Sequence, residues 1–345
     1  MTVEFGLVAG CTAGDRAVDV MADVRRTPVV ARGEDREKVE PKTPVERYGR
    51  LRVCGTRLCD EAGTPVQLRG MSTHGIHWFG SCLVAGVLDA LAEDWGSSVL
   101  RIAMYADRDG YQSNPKKFTD HVSRLIDMAS ARGMYVIVDW HWIDSGDPNH
   151  GLHHAKTFFR EITERHGRKP NVIYEILNEA YQADWWMIKD YAEKVIPVIR
   201  AQDPDSVILV GTRGWSTLGL SEYGDEKEMV TDPVRASNIM YTYHFYAKAH
   251  RENFLRMLDR ASSKLPVFVS EWGTQSWDGR GNDFAMSQRY VDLMARKRIS
   301  WTNWSIADGG GNGDIFAKGA CKGSRFAGTR VLTPAGVWIR QRVRG

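Results

Sequence analysis

The feature that most constrains the fold is a set of eight short apolar runs that recur along the 345-residue chain. The runs are VQLRGMS, SVLRIAM, MYVIVDW, NVIYEIL, SVILVG, IMYTYHF, PVFVSEW and ISWTNWS. Helix-like stretches such as FTDHVSRLIDMASARG and WWMIKDYAEKVIPVIRAQD lie between them. Each run has the length of a buried strand, and strands that alternate with helices predict a parallel sheet.

Eight strand–helix units between residues 46 and 345 match a (β/α)8 TIM barrel in number and length. An open, doubly wound sheet is the competing α/β architecture, but it more often carries a glycine-rich phosphate loop after its first strand, and RGMSTHG is not one. We therefore predict one barrel domain over residues 46–345. Pro197 lies inside the second helical stretch and is expected to kink or interrupt that helix.

Residues 1–45 differ from the rest, because RRTPVVARGEDREKVEPKTPVE is charged, contains proline and lacks apolar periodicity. They are predicted to be a disordered leader or linker. The net charge of +3 comes from interspersed charges without a basic stripe, so no nucleic-acid partner is expected. The apolar runs are too short to span a bilayer, so no membrane partner is expected either. We expect a monomer.

Five cysteines occur in the sequence, and four of them can be paired. Cys54 and Cys59 flank GTRL, which is typical of a tight hairpin turn, so a disulfide is predicted across it. Cys82 and Cys321 follow the first and eighth runs, which are neighbours in a closed barrel, so a second disulfide is predicted there. Cys11 is left unpaired.

Two disulfides favour a secreted protein over a cytosolic one with free thiols. The N-terminal stretch MTVEFGLVAGCTAG gives no support, since it lacks a basic n-region and has an acidic residue at position 4. The prediction of secretion therefore depends on the cysteines.

Side chains suited to hydrogen bonding or ring stacking mark the ends of all eight runs, where barrel enzymes place their active sites. One such residue alone is more often part of the core or of a solvated loop, but eight under one topological rule favour a site. In chain order they are His74 and Trp78; Arg101 and Tyr105; Asp139, Trp140, His141 and Trp142; Asn178 and Glu179; Trp215; His244 and Tyr246; Glu271; and Trp304.

Two glutamates, Glu179 and Glu271, dominate the chemistry of these ends. No GxSxG motif marks a serine nucleophile, and the histidines of HGLHH are better explained by a polar loop than by a metal site. The fourth and seventh strands face each other across a barrel mouth, so the two carboxylates can flank a bond in a sugar chain. Retaining glycosidases need them ~5 Å apart and inverting ones roughly 6.5–9.5 Å apart. One must be protonated while the other is ionised.

The motifs LNEA and SEWG, which contain these glutamates, resemble those of glycoside hydrolase family 5. From about Thr43 to the C-terminus the chain is similar to secreted actinobacterial endoglucanases of that family. The stretches that carry this similarity are TPVERYGRLRVCGTRLCDEAGTPVQLRGMSTHGIHWF, LIDMASARGMYVIVDWH, AEKVIPVIRAQDPDSVILVGTRGW and NIMYTYHFYAKAHR. The resemblance implies a retaining endo-β-1,4-glucanase that acts on cellulose and related β-glucans and needs no cofactor.

The same resemblance implies a role for each residue. Glu179 is the expected acid/base and Glu271 the expected nucleophile, with Arg101 and Tyr246 hydrogen-bonded to Glu271. Asn178 is expected to bind the sugar 2-hydroxyl. The other expected substrate-binding residues are His74, His141, His244 and Trp304 around the sugar at the cleaved bond, and Trp78, Trp215 and Tyr105 around neighbouring sugars.

The chain departs from the family pattern at three places. Ala180 follows Glu179 where the family usually has proline, and NWSIADGGGNGD offers Asp308 and Asp314 but no lysine before Lys318 for a remote sugar. Three further tryptophans are expected near the cleft, where they either extend sugar stacking or pack in the core: Trp185, Trp186 and Trp277.

Three alternatives to hydrolysis of β-glucan stay open. An endo-β-1,4-mannanase or another β-glycanase uses the same chemistry on the same barrel. A catalytically inactive carbohydrate-binding barrel is disfavoured, since both glutamates are present. Transglycosylation shares the covalent intermediate and is not excluded.

Overall fold

The computed structural model describes residues 42–345. Residues 1–41, with Cys11 and the stretch considered for export, lie outside the described residues. A short helix begins at Pro44, inside the predicted leader, where Thr43 and Glu46 form a reciprocal capping box.

Twelve strands occur among the described residues. They are β1 Arg52–Cys54, β2 Arg57–Cys59, β3 Arg69–Thr73, β4 Val99–Tyr105, β5 Tyr135–His141, β6 Ile143–Ser145, β7 Val172–Glu175, β8 Glu179–Tyr181, β9 Ile208–Val210, β10 Ile239–Tyr246, β11 Val267–Gly273 and β12 Trp301–Ile306.

Eight of these strands form a closed barrel in the order β3-β4-β5-β7-β9-β10-β11-β12, and every neighbouring pair is parallel, including β12 with β3. They coincide with the eight apolar runs, so the predicted (β/α)8 barrel is confirmed. The antiparallel hairpin β1–β2 precedes the barrel, and the parallel pair β6–β8 lies beyond the C-terminal ends of β5 and β7.

The described helices are α1 Pro44–Tyr48, α2 Ala85–Asp89, α3 Pro115–Ser130, α4 Leu152–His166, α5 Trp185–Arg200, α6 Arg213–Ser216, α7 Lys227–Thr231, α8 Glu252–Ala261, α9 Phe284–Lys297 and α10 Pro334–Arg344. Helix α2 continues as a π-helical turn over Ala90–Asp94. None of the helices described between residues 42 and 345 is long and apolar enough to cross a membrane.

Helix α5 runs to Arg200 with Pro197 inside it, so the prediction that the proline interrupts the helix is wrong. The proline occupies the last turn of the helix. Proline lacks the N–H that would donate one helical hydrogen bond. Only three helical residues follow Pro197, so the helix ends within one turn of this missing bond.

Both predicted disulfides occur in the structure. Cys54 and Cys59 are joined across the β1–β2 hairpin, with their Cα atoms 6.1 Å apart. Cys82 and Cys321 join the loops that follow the neighbouring strands β3 and β12, with their Cα atoms 4.9 Å apart.

The strand period places polar residues directly above an apolar layer inside the barrel. Val99 and Ile173 belong to a buried cluster that also contains Leu209, Met240 and Phe268. Two residues further along the same face of each strand come Arg101 on β4 and Glu175 on β7, because side chains of one face recur every second residue. The apolar layer therefore ends where the candidate site begins.

Candidate active site

A single guanidinium joins the carboxylates of three strands and one amide at the barrel mouth. Arg101 is fully buried and donates from Nε to Glu175 Oε2 at 2.7 Å and from Nη1 to Glu271 Oε2 at 2.9 Å. Its Nη2 donates to Asn178 Oδ1 at 2.6 Å and lies 3.0 Å from Asp139 Oδ2. Because a buried charge needs partners, this set of contacts fixes the positions of all five side chains.

Glu271 is held in its ionised form. Besides Arg101, the Tyr246 hydroxyl donates to Glu271 Oε1 at 2.5 Å. Burial alone would raise the pKa of Glu271, but the charges of His244 and Arg101 outweigh burial and lower that pKa below its usual value. An ionised carboxylate with both oxygens oriented is suited to nucleophilic attack.

Glu179 has the opposite environment. Its side chain is 12% exposed, and Oε1 lies 2.8 Å from His244 Nδ1. Burial and then the charge of Glu271 raise the pKa of Glu179, and the hydrogen bond from His244 only partly offsets them. The two carboxyl groups therefore favour opposite protonation states, as an acid and a nucleophile require.

The two carboxylates are close enough to act on one bond. A carboxylate oxygen of Glu179, one of Glu271 and a ring nitrogen of His244 all lie within 4.8 Å of one another. That spacing fits the ~5 Å separation of retaining enzymes better than the wider inverting one.

The same proximity makes two clusters of the described residues candidates for a metal site. In the first, the three groups just named are already engaged in hydrogen bonds. In the second, Asp308 lies with Cys82 and Cys321, whose sulfurs are bonded to each other. The contacts therefore favour proton transfer over metal chemistry at Glu179 and Glu271.

His141 is neutral. Burial and the charge of Arg101 lower its pKa to about 3. Its Nδ1 lies 2.6 Å from Asp139 Oδ2, and its Nε2 lies 3.5 Å from Asn178 Nδ2. Nδ1–H therefore donates to Asp139 while Nε2 accepts from Asn178, which fixes the orientation of the Asn178 amide.

A cleft of about 520 Å³ opens above these groups. Its lining consists of His74, Tyr105, His141, Ile143, Glu179, Trp215, Ser221, His244, Tyr246, His250, Glu271, Trp277 and Trp304. One wall is aromatic, because Trp304 stacks on His141 with ring centres 5.4 Å apart and planes at 16°.

Trp215 forms a flat surface on another side of the cleft. It stacks on Tyr181 at 3.9 Å with nearly parallel planes, yet remains 38% exposed. Its backbone is left-handed, with φ 61°, a conformation that costs a non-glycine residue about 1–2 kcal/mol. The next residue, Ser216, donates to the carbonyl oxygen of Asn178 and thereby joins this strained turn to the segment between β7 and β8.

The sequence profile of Cellulase (glycosyl hydrolase family 5) matches residues 59–310. The chain belongs to glycosyl hydrolase family 5. Within this family it is 56% identical over 303 residues to Endoglucanase E-5 of Thermobifida fusca, and 47% identical over 301 residues to Endoglucanase CelA of Streptomyces lividans. Each alignment covers 87% of this chain but only 65% of the relative, so the chain spans slightly less than two thirds of either relative's length.

A solved structure of this family extends the comparison to the fold. It is a variant of the catalytic domain of Thermobifida fusca endoglucanase Cel5A (E5) in complex with cellotetraose. The match has a TM-score of 0.87 at 54% identity, and covers 88% of this chain and all of that one.

The structure brings all the predicted site residues of this family 5 barrel to one end. Nine of them line the cleft. Arg101 and Asn178 lie beneath it, where Arg101 donates a hydrogen bond to Asn178. Trp78 is 47% exposed at the rim, where it contacts His74 and Tyr105.

The three further tryptophans have different surroundings. Trp277 lines the cleft and is 70% exposed. Trp185 is buried, and its indole N–H donates to the carbonyl oxygen of Asp232. It is therefore part of the core and does not extend the cleft. Trp186 is exposed but is not part of the cleft lining.

The places where the chain departs from the family pattern have structural roles. Ala180 lies in β8, opposite Asp144 of β6. Asp308 accepts from the backbone N–H of Cys321, and Asp314 accepts from two consecutive glycine N–H groups of its own loop. Both aspartates therefore shape the loop after β12.

Sequence reasoning missed Glu175 and Ser270 as parts of the site. Glu175 lies within the apolar run NVIYEIL, where a charge on a buried strand is itself a signal of a functional contact. Other missed lining residues lie on loops or short elements beyond the barrel, and periodicity gives no signal for them: Ile143, Ser221 and His250.

Proposed function

We propose that this chain is a retaining endo-β-1,4-glucanase, which hydrolyses internal β-1,4-glucosidic bonds of cellulose and related β-glucans by double displacement. The observation that carries the proposal is the pair Glu179 and Glu271, which lie within 4.8 Å of each other and whose pKa values are shifted in opposite directions. Two relatives named endoglucanases and a cellotetraose complex of a related catalytic domain support the substrate class.

In the first step Glu271 attacks the anomeric carbon, and Glu179 gives its proton to the departing glycosidic oxygen. Arg101 and Tyr246 orient the attacking carboxylate. In the second step the ionised Glu179 takes a proton from water, which attacks the same carbon and releases Glu271. We assign the contact with the sugar 2-hydroxyl in both steps to Asn178, which Arg101 and His141 orient.

The barrel order supports an assignment of sugars to the two arms of the cleft. A line from β7 to β11 leaves β12, β3, β4 and β5 on one side, and β9 and β10 on the other. The first side carries His74, His141 and Trp304, which we assign to the sugar that is attacked, with Trp78 and Tyr105 serving the sugar beyond it. The second side carries Trp215, which we assign to the leaving sugar.

Three further features of the protein belong to this proposal. Residues 46–345 form the catalytic domain, with residues 1–45 as a leader or linker. The protein acts as a monomer. It is secreted, a location that the two disulfides support because such bonds persist in oxidising compartments.

The test is cleavage of carboxymethylcellulose compared with galactomannan. We expect reducing ends from carboxymethylcellulose, with viscosity falling early because internal bonds are cut first. Release from galactomannan should be slower by about tenfold or more, since misplaced hydroxyls leave buried partners unpaired. Faster release from galactomannan would make the protein a mannanase, and binding without cleavage of either polymer would make it a carbohydrate-binding barrel.

Trp277 is predicted to stack on an outer sugar on the leaving-group side. Its loop contacts the loop after β10, where the Lys248 N–H donates to the carbonyl oxygen of Gln275. We expect Trp277→Ala to raise KM for cellohexaose about 3- to 10-fold, the usual energy of a ring-stacking contact. KM for an aryl cellobioside, which has no outer sugar on that side, should not change.

Trp186→Ala is the matched control, since it removes an exposed tryptophan that does not line the cleft. Steady-state kinetics of the two variants on cellohexaose and on the aryl cellobioside test whether Trp277 contributes to a subsite. Equal effects of the two substitutions would show that Trp277 has no subsite role.

A further inference from the structure

Ser270, next to Glu271 on β11, also faces the barrel interior. Along β10 and β11, Thr242 pairs with Phe268 and His244 pairs with Glu271, so one residue of β10 between these pairs opposes two of β11. This β-bulge breaks the alternation of the strand, and two consecutive side chains point inward. Ser270 is fully buried there.

The Ser270 hydroxyl has one proton and two strong partners. It lies 2.6 Å from Glu175 Oε1 and 2.9 Å from His244 Nε2. Burial would raise the pKa of Glu175, but the charge and hydrogen bonds of Arg101 together with the nearby His244 outweigh burial and lower that pKa to about 2. Glu175 is therefore ionised and only accepts hydrogen bonds. The hydroxyl proton goes to Glu175, and the Ser270 oxygen must accept from His244 Nε2–H.

We propose that Ser270 is a positioning residue that keeps a proton on Nε2 of His244, so that Nδ1, the nitrogen facing Glu179, is where this ring gains and loses its proton. Nδ1–H then stabilises Glu179 as a carboxylate once Glu179 has protonated the leaving group. A ring with a bare Nε2 would require Ser270 to donate to it and would break the bond to Glu175. The stabilisation of ionised Glu179 during catalysis rests on the proposed function. The protonation of His244 at Nε2 does not depend on that function.

Charged groups of several strands surround His244. Burial alone would lower its pKa, but the nearby carboxylates of Glu175 and Glu179 and the charge of Glu271 raise it to about 9. The groups whose charges act on His244, or on which its charge acts, are Glu175, Glu179, Glu271, Asp139 and His141. Among these contacts Ser270 is the uncharged acceptor of Nε2–H, since Glu175 lies further from that nitrogen, at 3.6 Å.

The experiment is ¹⁵N NMR of histidine-labelled protein without substrate, titrated from about pH 6 to about pH 11, with His244 assigned by the signals lost in His244→Gln. In the wild type we expect Nε2 to remain protonated while only Nδ1 titrates. In Ser270→Ala, Nε2–H loses its acceptor, the imidazolium is less stable, and proton binding by His244 weakens about tenfold. Ser270→Thr keeps the hydroxyl and should keep the wild-type spectrum.

Kinetics provide the second measurement. We expect Ser270→Ala to lower kcat on glucan about tenfold with KM nearly unchanged, and Ser270→Thr to restore it. Ser287→Ala is the matched control, because it removes a buried hydroxyl on α9 that bonds only the carbonyl oxygen of Asp283. A protein inactive on glucan would refute the proposed function and leave the NMR result intact.

Two NMR results would overturn the inference. The first is a neutral His244 that carries its proton on Nδ1 in the wild type. The second is a Ser270→Ala variant whose His244 signals and titration match the wild type. If the alanine variant does not fold, the wild-type tautomer alone decides.

Discussion

Glu271→Ala should abolish hydrolysis of both carboxymethylcellulose and an aryl cellobioside, with a loss on the order of 10⁵-fold or more in kcat. No covalent intermediate can form without this carboxylate, whatever the leaving group. The surrounding contacts explain why no neighbour replaces it. Arg101 and Tyr246 are arranged to orient an anion at this position and supply no nucleophile themselves.

The measurement is initial rate on both substrates, with product analysis in added azide. Azide that enters the vacated space attacks the anomeric carbon once, and the product is an α-glycosyl azide. Glu252→Ala is the control, since it removes an exposed glutamate on α8 that pairs with Arg289, and it should keep near-wild-type rates. A Glu271→Ala enzyme that retained a tenth of the wild-type rate would exclude Glu271 as the nucleophile.

The sequence was sufficient to predict the barrel, and the reason is visible in its strands. A parallel strand that is buried on both faces must be apolar along its length, so each strand could be recognised in the sequence as an apolar run. Its C-terminal end then had to leave the core, and the polar residues at the end of each run marked the barrel mouth. Glu179 and Glu271 were found by this rule, and the structure places them at one site.

The residues that escaped prediction did so for physical reasons. Ser270 faces the interior only because of the bulge in β11, and the sequence PVFVSEW carries no signal for an extra residue in a strand. Glu175 was missed because it lies within an apolar run and its partner Arg101 lies on a different strand, far away in sequence. Pairings between distant segments depend on the closed barrel, and local pattern does not contain them.

The surroundings of the tryptophans also could not be predicted from local sequence. Trp185 and Trp186 are consecutive, so a helix turns them to different directions, and only the first is buried. Trp277 is exposed in a loop whose position depends on contacts with the loop after β10. Composition identified many aromatic residues, while the fold decided which of them face the cleft.

Glu179→Ala should affect the two substrates differently. Hydrolysis of glucan should fall about 10³-fold, because its leaving group is a sugar hydroxyl that needs a proton. The first step on an aryl cellobioside with an acidic phenol should be largely spared, since that leaving group departs as an anion. The intermediate on Glu271 then accumulates, because no base remains to activate water, and a burst of phenol followed by slow turnover is the expected time course.

Added azide should restore turnover of the aryl substrate and give a β-glycosyl azide. The intermediate on Glu271 has the α configuration, and a small anion that needs no base attacks it with a second inversion. The product's configuration therefore reports which carboxylate is missing: β for the acid/base and α for the nucleophile. If Glu179→Ala gave the α product and Glu271→Ala the β product, the two roles would be exchanged, and the opposite pKa shifts of the pair would have to be explained by their hydrogen bonds to His244 and Tyr246 alone.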